Sequence, residues 1–266
     1  MNGGRSPKIA LLLCLLLVAS SSQAVYKVKK KQKKGPTRIE KLEGGKIIAQ
    51  ADFSKRGIWA GMEAVIEAPP EIVWKLFVQA NDWKKYHVHD SRALSPEMME
   101  QAPSADSVED IYKIIGDQTF DPLSQRLVGK TWEAGTFQYY DLKWPLEDRW
   151  VVFTSHHDET DMKKGIYRSA WSKLGGNVRL YEGSLLLEPF EDDHHRTHLQ
   201  YSVESHLGGF VPKFLVRWAV GKSIPEVIKA IRREAVRVWN EEDGSTHPDS
   251  GSEGPKNARK RPLEKN

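Results

Sequence analysis

The stretch from Ser205 to Glu241, SHLGGFVPKFLVRWAVGKSIPEVIKAIRREAVRVWNE, constrains the fold more than any other. Ile224, Val227, Ile228, Ile231, Ala235 and Val238 recur at three- and four-residue spacing, which places them on one face of a helix. Lys222, Lys229, Arg232, Arg233 and Glu234 occupy the other face. Gly208, Gly209 and Pro212 precede the run, and Pro225 suits the first turn of a helix, where its missing N–H has no partner to lose. The spacing predicts a first helical segment over Lys213–Gly221, a weak point at Gly221-Lys222-Ser223, and a longer helix beyond. An amphipathic helix needs an apolar surface to cover, and what precedes it is a series of strand-like segments. The expectation is a curved sheet whose concavity receives this helix and leaves a space between the two. A plain core helix with no cavity behind it has the same periodicity, so periodicity alone leaves both open.

The strands can be read in order. Lys46–Phe53 is one. Trp59–Ala68 is stronger, because Met62, Ala64, Ile66 and Ala68 alternate with Glu63, Val65 and Glu67. Pro69-Pro70 ends it and opens a helix in which Val73, Leu76, Phe77 and Ala80 share a face beside Trp74. Asn81 or Asp82 is placed to cap a second short helix carrying Trp83 and Tyr86. Residues 90–110 read as a loop, Ile111–Ile115 as a short strand, and Pro122–Val128 as a strand or a turn. Further strands follow over Trp132–Leu142, Trp150–Ser155, Tyr167–Trp171, Val178–Glu188 and Thr197–Glu204, with a loop at Glu191–Arg196. Closely spaced strands joined by short turns imply an antiparallel meander, and the element order implies an α+β domain.

Both ends fall outside that domain. Residues 1–24 read as a secretory signal peptide: Arg5 and Lys8 precede an apolar run from Ile9 to Ala19, and Ser22-Gln23-Ala24 has small residues where a signal peptidase reads. The run is shorter than the about 20 residues that span a bilayer, so cleavage is expected, with a periplasmic or secreted product. An uncleaved signal would instead anchor the chain. The one cysteine, Cys14, lies inside the run, so the mature chain has no thiol for catalysis or metal binding. The formal net charge is +4, and Lys27, Lys29, Lys30, Lys31, Lys33 and Lys34 crowd into a basic flexible leader over residues 25–44. Such a run fits an anionic membrane surface; nucleic acid is not an expected partner of a secreted chain. Residues 241–266 are polar and expected to be disordered. The folded part is then residues 45–240, one domain, expected to be a monomer.

Three stretches, taken with the element order, resemble the START-like (SRPBCC) superfamily, which includes lipid-transfer START domains, polyketide cyclase-like proteins and a coenzyme-Q-binding branch. Val65–Tyr86 (VIEAPPEIVWKLFVQANDWKKY) is similar to that family's strand, Pro-containing turn and helix. Leu142–Phe153 (LKWPLEDRWVVF) is similar to its Pro-Leu-x-Asp-Arg turn, and Gly209, Pro212 and Pro225 are spaced as in the family. The resemblance covers residues 46–240. It implies a helix-grip fold, a curved antiparallel sheet wrapped on a long C-terminal helix, with two short helices after the first strand. It also implies a tunnel for a hydrophobic small molecule or lipid. The expected cavity residues are Phe77, Phe137 and Tyr139 or their neighbours on the opposite face, Leu185, Leu187, Leu199, Tyr201, Val203, Val227, Ile228 and Ile231.

Other chemistry finds less support. His87, His89 and Asp90 are metal-ligand types at close spacing, but a polar stretch accounts for them. His156-His157 and His194-His195 are adjacent pairs, which chelate poorly from an extended chain and are expected to be solvated. Asp148-Arg149 is expected to be a salt bridge that stabilises a turn. Glu188, Glu204 and Tyr201 could do acid–base work, although both glutamates fall on the strand faces assigned to solvent. No P-loop, dinucleotide fingerprint or serine nucleophile elbow is present. No cofactor or metal is expected. The favoured function is non-enzymatic binding or transfer of a hydrophobic molecule. The alternatives are a cyclase or hydrolase acting on an aromatic or polyketide-like substrate, and a membrane-surface module tethered by the lysine run.

Overall fold

The computed structural model describes residues 36–53, 57–86, 88–141, 147–206 and 213–242. The expected signal peptide, the lysine run, His87, residues 142–146, the Gly208-Gly209-Pro212 segment and the residues beyond Glu242 lie outside the described residues.

Eight antiparallel strands form one sheet: β1 (Ile48–Phe53), β2 (Ile58–Ile66), β3 (Asp90–Leu94), β4 (Thr131–Tyr140), β5 (Arg149–Asp158), β6 (Tyr167–Gly176), β7 (Leu180–Phe190) and β8 (Asp193–His206). Their order in space is β1-β2-β8-β7-β6-β5-β4-β3. Strands β4 to β8 are a meander, and β8 returns to pair with β2. A long helix, α5 (Lys213–Glu242), follows. With α2 (Pro70–Val78) it packs on the inner face of the sheet, where Ala64, Ile66, Leu187 and Leu199 meet Val73 and Trp74 of α2 and Ile228, Ile231 and Ala235 of α5. This curved sheet gripping its last helix is a helix-grip architecture, in an α+β domain.

Several local expectations are corrected. The two strands read before Pro69-Pro70 pair as a hairpin, β1–β2, ahead of α2 and the 3-10 turn Ala80–Tyr86. Asn81 does not cap that turn; it ties β3 to the loop before β4, accepting from the Ala93 N–H at 2.8 Å and donating to the Phe120 carbonyl at 2.8 Å. Residues 38–43 are not a flexible leader but a helix, α1 (Arg38–Glu43). Thr37 and Glu40 close a capping box on it, Leu42 is buried, and Arg38 pairs with Glu63 on β2. The expected loop and strand over 90–115 are β3 and two helices, α3 (Pro96–Gln101) and α4 (Val108–Ile115). Each begins at a serine, Ser95 or Ser107, whose side chain accepts a backbone N–H. Pro122–Gln125 is a 3-10 turn.

The loop expected at Glu191–Arg196 shrinks to Glu191 and Asp192, whose φ angles of 52° and 65° suit a two-residue type I′ hairpin turn. Finally, α5 runs unbroken through Gly221-Lys222-Ser223 and carries Pro225 within it. The expected division into two segments does not occur in the backbone.

Helices α3 and α4 have a structural consequence. They cover the outer face of β3, β4 and β5 and create a second core there, in which Leu94, Met98, Ile111, Ile115, Phe137, Trp150 and Val152 are buried. The sheet is therefore buried on both faces at that end, while the outer face of β1, β2, β8, β7 and β6 carries polar side chains such as Gln50, Glu63, Gln200 and Ser202.

Candidate ligand cavity

Strand alternation decides what faces the space beneath the helices. The inner face of β4 presents Ala134, Thr136 and Gln138, and that of β5 presents Phe153, Ser155 and His157. Ser169 and Trp171 follow on β6, Tyr181 and Leu185 on β7, and Tyr201 on β8. Trp74, Phe77 and Val78 from α2, with Ala80 and Trp83 from the 3-10 turn, form the roof. These residues line a partly open cavity of about 70 Å³. Ligand pockets for drug-sized molecules are roughly 300–1,000 Å³, so this site is small.

The floor is more polar than a lipid tunnel requires. The cross-strand pairs His157–Ser169 and Ser155–Trp171 set four polar side chains side by side. Gln138 accepts from the Tyr140 hydroxyl at 2.6 Å. Trp171 lies over Gly183, where an added Cβ would collide with the indole, and packs on Tyr201 at 5.2 Å between centroids. Its indole Nε1 is buried without a partner, as is His157 Nδ1. The His157 ring is wedged between Trp132, 4.2 Å away, and the edge of Trp74, 5.2 Å away. Burial pushes the imidazole pKa down to about 3; His156 adds to the effect and the Glu159 carboxylate opposes it, so His157 is neutral at ordinary pH. Burial also raises the Tyr181 hydroxyl well above the usual tyrosine range.

Behind this wall sits Glu159, fully buried. It accepts from the indole N–H groups of Trp74 (2.8 Å) and Trp132 (3.2 Å) and from Arg126 Nε (2.8 Å) and Nη2 (3.0 Å). Burial alone would raise its pKa; Arg126 and the indoles outweigh that and hold the carboxyl below its ordinary value. The cluster fixes the roof residue Trp74 in place. Its positive and negative groups are consumed by each other, so it offers the cavity no free charge.

Of the residues expected to line a cavity, Phe77, Leu185 and Tyr201 do. Leu187, Leu199 and Val203 share the inner face but fill the core under the helices, as do Ile228 and Ile231, with Val227 packed against them. Phe137 and Tyr139 point the other way. Phe137 is buried in the second core against Tyr112, and the Tyr139 hydroxyl donates to Asp148 at 2.6 Å; their neighbours Thr136 and Gln138 take the cavity side.

Other expectations shift as well. Asp148 and Arg149 do not pair with each other: Arg149 Nη1 donates to the Glu147 and Asp148 carbonyls and the Glu147 carboxylate. His157 is buried rather than solvated. Glu188 and Glu204 lie on the outer face, as their strand alternation implies, and there Glu188 hydrogen-bonds His198 at 3.0 Å. Asp90 pairs with Lys84 and Arg92, and among the described residues no group of three or more His, Cys, Asp or Glu is placed to hold a metal ion. Among those residues, too, no helix is long and apolar enough to cross a membrane. A second hollow, about 600 Å³ but open to solvent, runs across the outer face between Trp59 and Arg168 over a row of small residues, Gly61, Ser202, Ser184 and Ala170.

No protein-family model matches the chain, and no curated protein matches its sequence. Solved structures are similar in fold. A STAR-related lipid transfer protein fragment from Xanthomonas axonopodis is 15% identical, with 71% of this chain and 93% of that one covered and a TM-score of 0.49. Human StAR-related lipid transfer protein 5 is 12% identical, with 73% and 83% covered and a TM-score of 0.46. A Streptomyces aromatase/cyclase is 13% identical, with 72% and 95% covered and a TM-score of 0.41. The fold rests on the strand order and helix packing described above, and the site on its own geometry.

Proposed function

We propose that the protein binds a hydrophobic small molecule, without chemically changing it, between the inner face of the sheet and the helices that cover it. The observation that carries this reading is the cavity roofed by Trp74, Phe77 and Trp83 and walled by Phe153, Trp171, Tyr181 and Tyr201. Aromatic and apolar lining with a few polar groups is what such a ligand requires. Binding is favoured over a cyclase or hydrolase because the described lining residues include no carboxylate. The one imidazole, with its pKa pushed down to about 3, is a weak base at the pH where a general base must work. Since the cavity is small, uptake of a larger ligand involves displacement of the roof. Residues 1–24 and the lysines that follow support a location outside the cytoplasm and contact with an anionic membrane from which such a ligand could be collected.

Native mass spectrometry of the purified mature protein, combined with displacement of anilinonaphthalene sulfonate, tests the reading. A co-purified apolar molecule, or displacement of the dye by one, is expected. A protein that is empty and takes up neither dye nor lipid would overturn it.

A further inference from the structure

We infer that the ligand of this cavity is a compact ring compound bearing a hydroxyl or carbonyl oxygen, and that His157 is the residue that hydrogen-bonds this oxygen. The inference rests on the cavity-binding reading above and narrows its ligand class.

His157 lines the cavity and is 6% exposed. Its Nδ1 is buried with no partner. Trp132 and Trp74 pack against its ring on two sides. Buried polar groups in folded proteins are nearly always paired, so an imidazole left unpaired beside a cavity can take a partner from outside the chain once the roof yields and uncovers it. A neutral imidazole offers one donor and one acceptor, which suits a hydroxyl or a carbonyl equally.

Trp171 supplies the second observation. It sits diagonally across the β5–β6 pair from His157, about 7–8 Å away by strand geometry, and its own N–H is buried and unpaired. Ser155 and Ser169 complete the quartet between them. The roof above, with Phe77, Val78 and Ala80, is apolar. A ligand in this space meets an apolar roof and, on the sheet side, hydrogen-bonding groups set among aromatic and apolar side chains. An acyl chain would leave those groups unsatisfied, whereas an oxygen-bearing ring can pair with them. Size points the same way: a cavity of about 150 Å³ takes a benzene ring, so at about 70 Å³ a single ring asks the roof to yield a little and an acyl chain asks far more.

Phenol and toluene are nearly the same shape and differ in the oxygen. Their affinities for the native protein, measured by titration calorimetry or ligand-observed NMR, test the inference, with palmitate as a competitor. Phenol is expected to bind about tenfold more tightly than toluene, the worth of one net hydrogen bond, and palmitate is expected not to displace it. In His157→Phe the preference should vanish while toluene still binds. Should that variant fail to fold, the phenol–toluene comparison on the native protein decides alone. Equal binding of the two, a preference that survives in His157→Phe, or displacement of phenol by palmitate would overturn the inference while leaving cavity binding intact. If none of the three bound, both readings would fall.

Discussion

Replacing His157 with Phe should make the fold less sensitive to acid. An unfolded histidine titrates near pH 6.5, whereas the buried imidazole titrates at about 3, chiefly because burial disfavours its charged form. Between those values the unfolded chain carries a proton that the folded chain does not. The stability tied to this group is complete above the unfolded pKa and is lost as pH falls below it. From pH 7 to pH 5 the linkage relation gives a loss of about 2 kcal/mol from this residue, roughly a 25-fold change in the folded-to-unfolded ratio. Urea denaturation followed by tryptophan fluorescence at both pH values measures it. The native protein should lose about 2 kcal/mol more than the variant over this interval. The carboxylates, including Glu159 and Asp90, contribute to both proteins alike and cancel. Equal pH dependence in the two would show that the imidazole is not held neutral in the core, and would refute the reasoning.

Glu159→Gln removes the anion that Arg126 and two indoles share; it should cost about 3 kcal/mol in urea denaturation, since it strands a largely buried guanidinium, and a loss under 1 kcal/mol would contradict the cluster's role. Phe137→Ala should destabilise by about 3–5 kcal/mol yet leave ligand affinity unchanged, because Phe137 belongs to the outer core. Phe77→Ala should do the reverse, weakening ligand binding several-fold with a smaller loss of stability. Gly183→Ala forces a methyl group into Trp171 and the Ser202 carbonyl; it should cost about 1–3 kcal/mol and shift the Trp171 emission.

The gripping helix and most strands were legible because their apolar periods of 3.6 and 2 are strong in this sequence. Met62, Ala64 and Ile66 are buried on the helix side, as their alternation implies. The α3–α4 pair was not legible as read, although Val108, Ile111, Tyr112 and Ile115 have helical spacing after the capping residue Ser107. Short segments rich in Pro and Ser mimic loops, and the signal that could have found α4 was the cap followed by that spacing. The cover that α3 and α4 give β4 is why the neighbours Thr136 and Gln138, rather than Phe137 and Tyr139, take the cavity side. A strand with one buried face reveals its inward side by alternation, but β4 is buried on both faces because α3 and α4 cover its outside, and its bulky residues occur on both. His157 was hidden for a related reason: its neighbour His156 is exposed, and only the pairing of β5 with β6 shows that the odd-numbered residues turn inward.

The indole N–H resonances of a nitrogen-15 spectrum, recorded while the protein is titrated with anilinonaphthalene sulfonate or its co-purified ligand, give the most direct test of cavity binding. Trp74, Trp83 and Trp171 line the inner cavity, whereas Trp59 lies on the outer face beside the open hollow. Binding beneath the helices should shift the first three and leave Trp59 unmoved. A shift confined to Trp59, or none at any of the four, would contradict it.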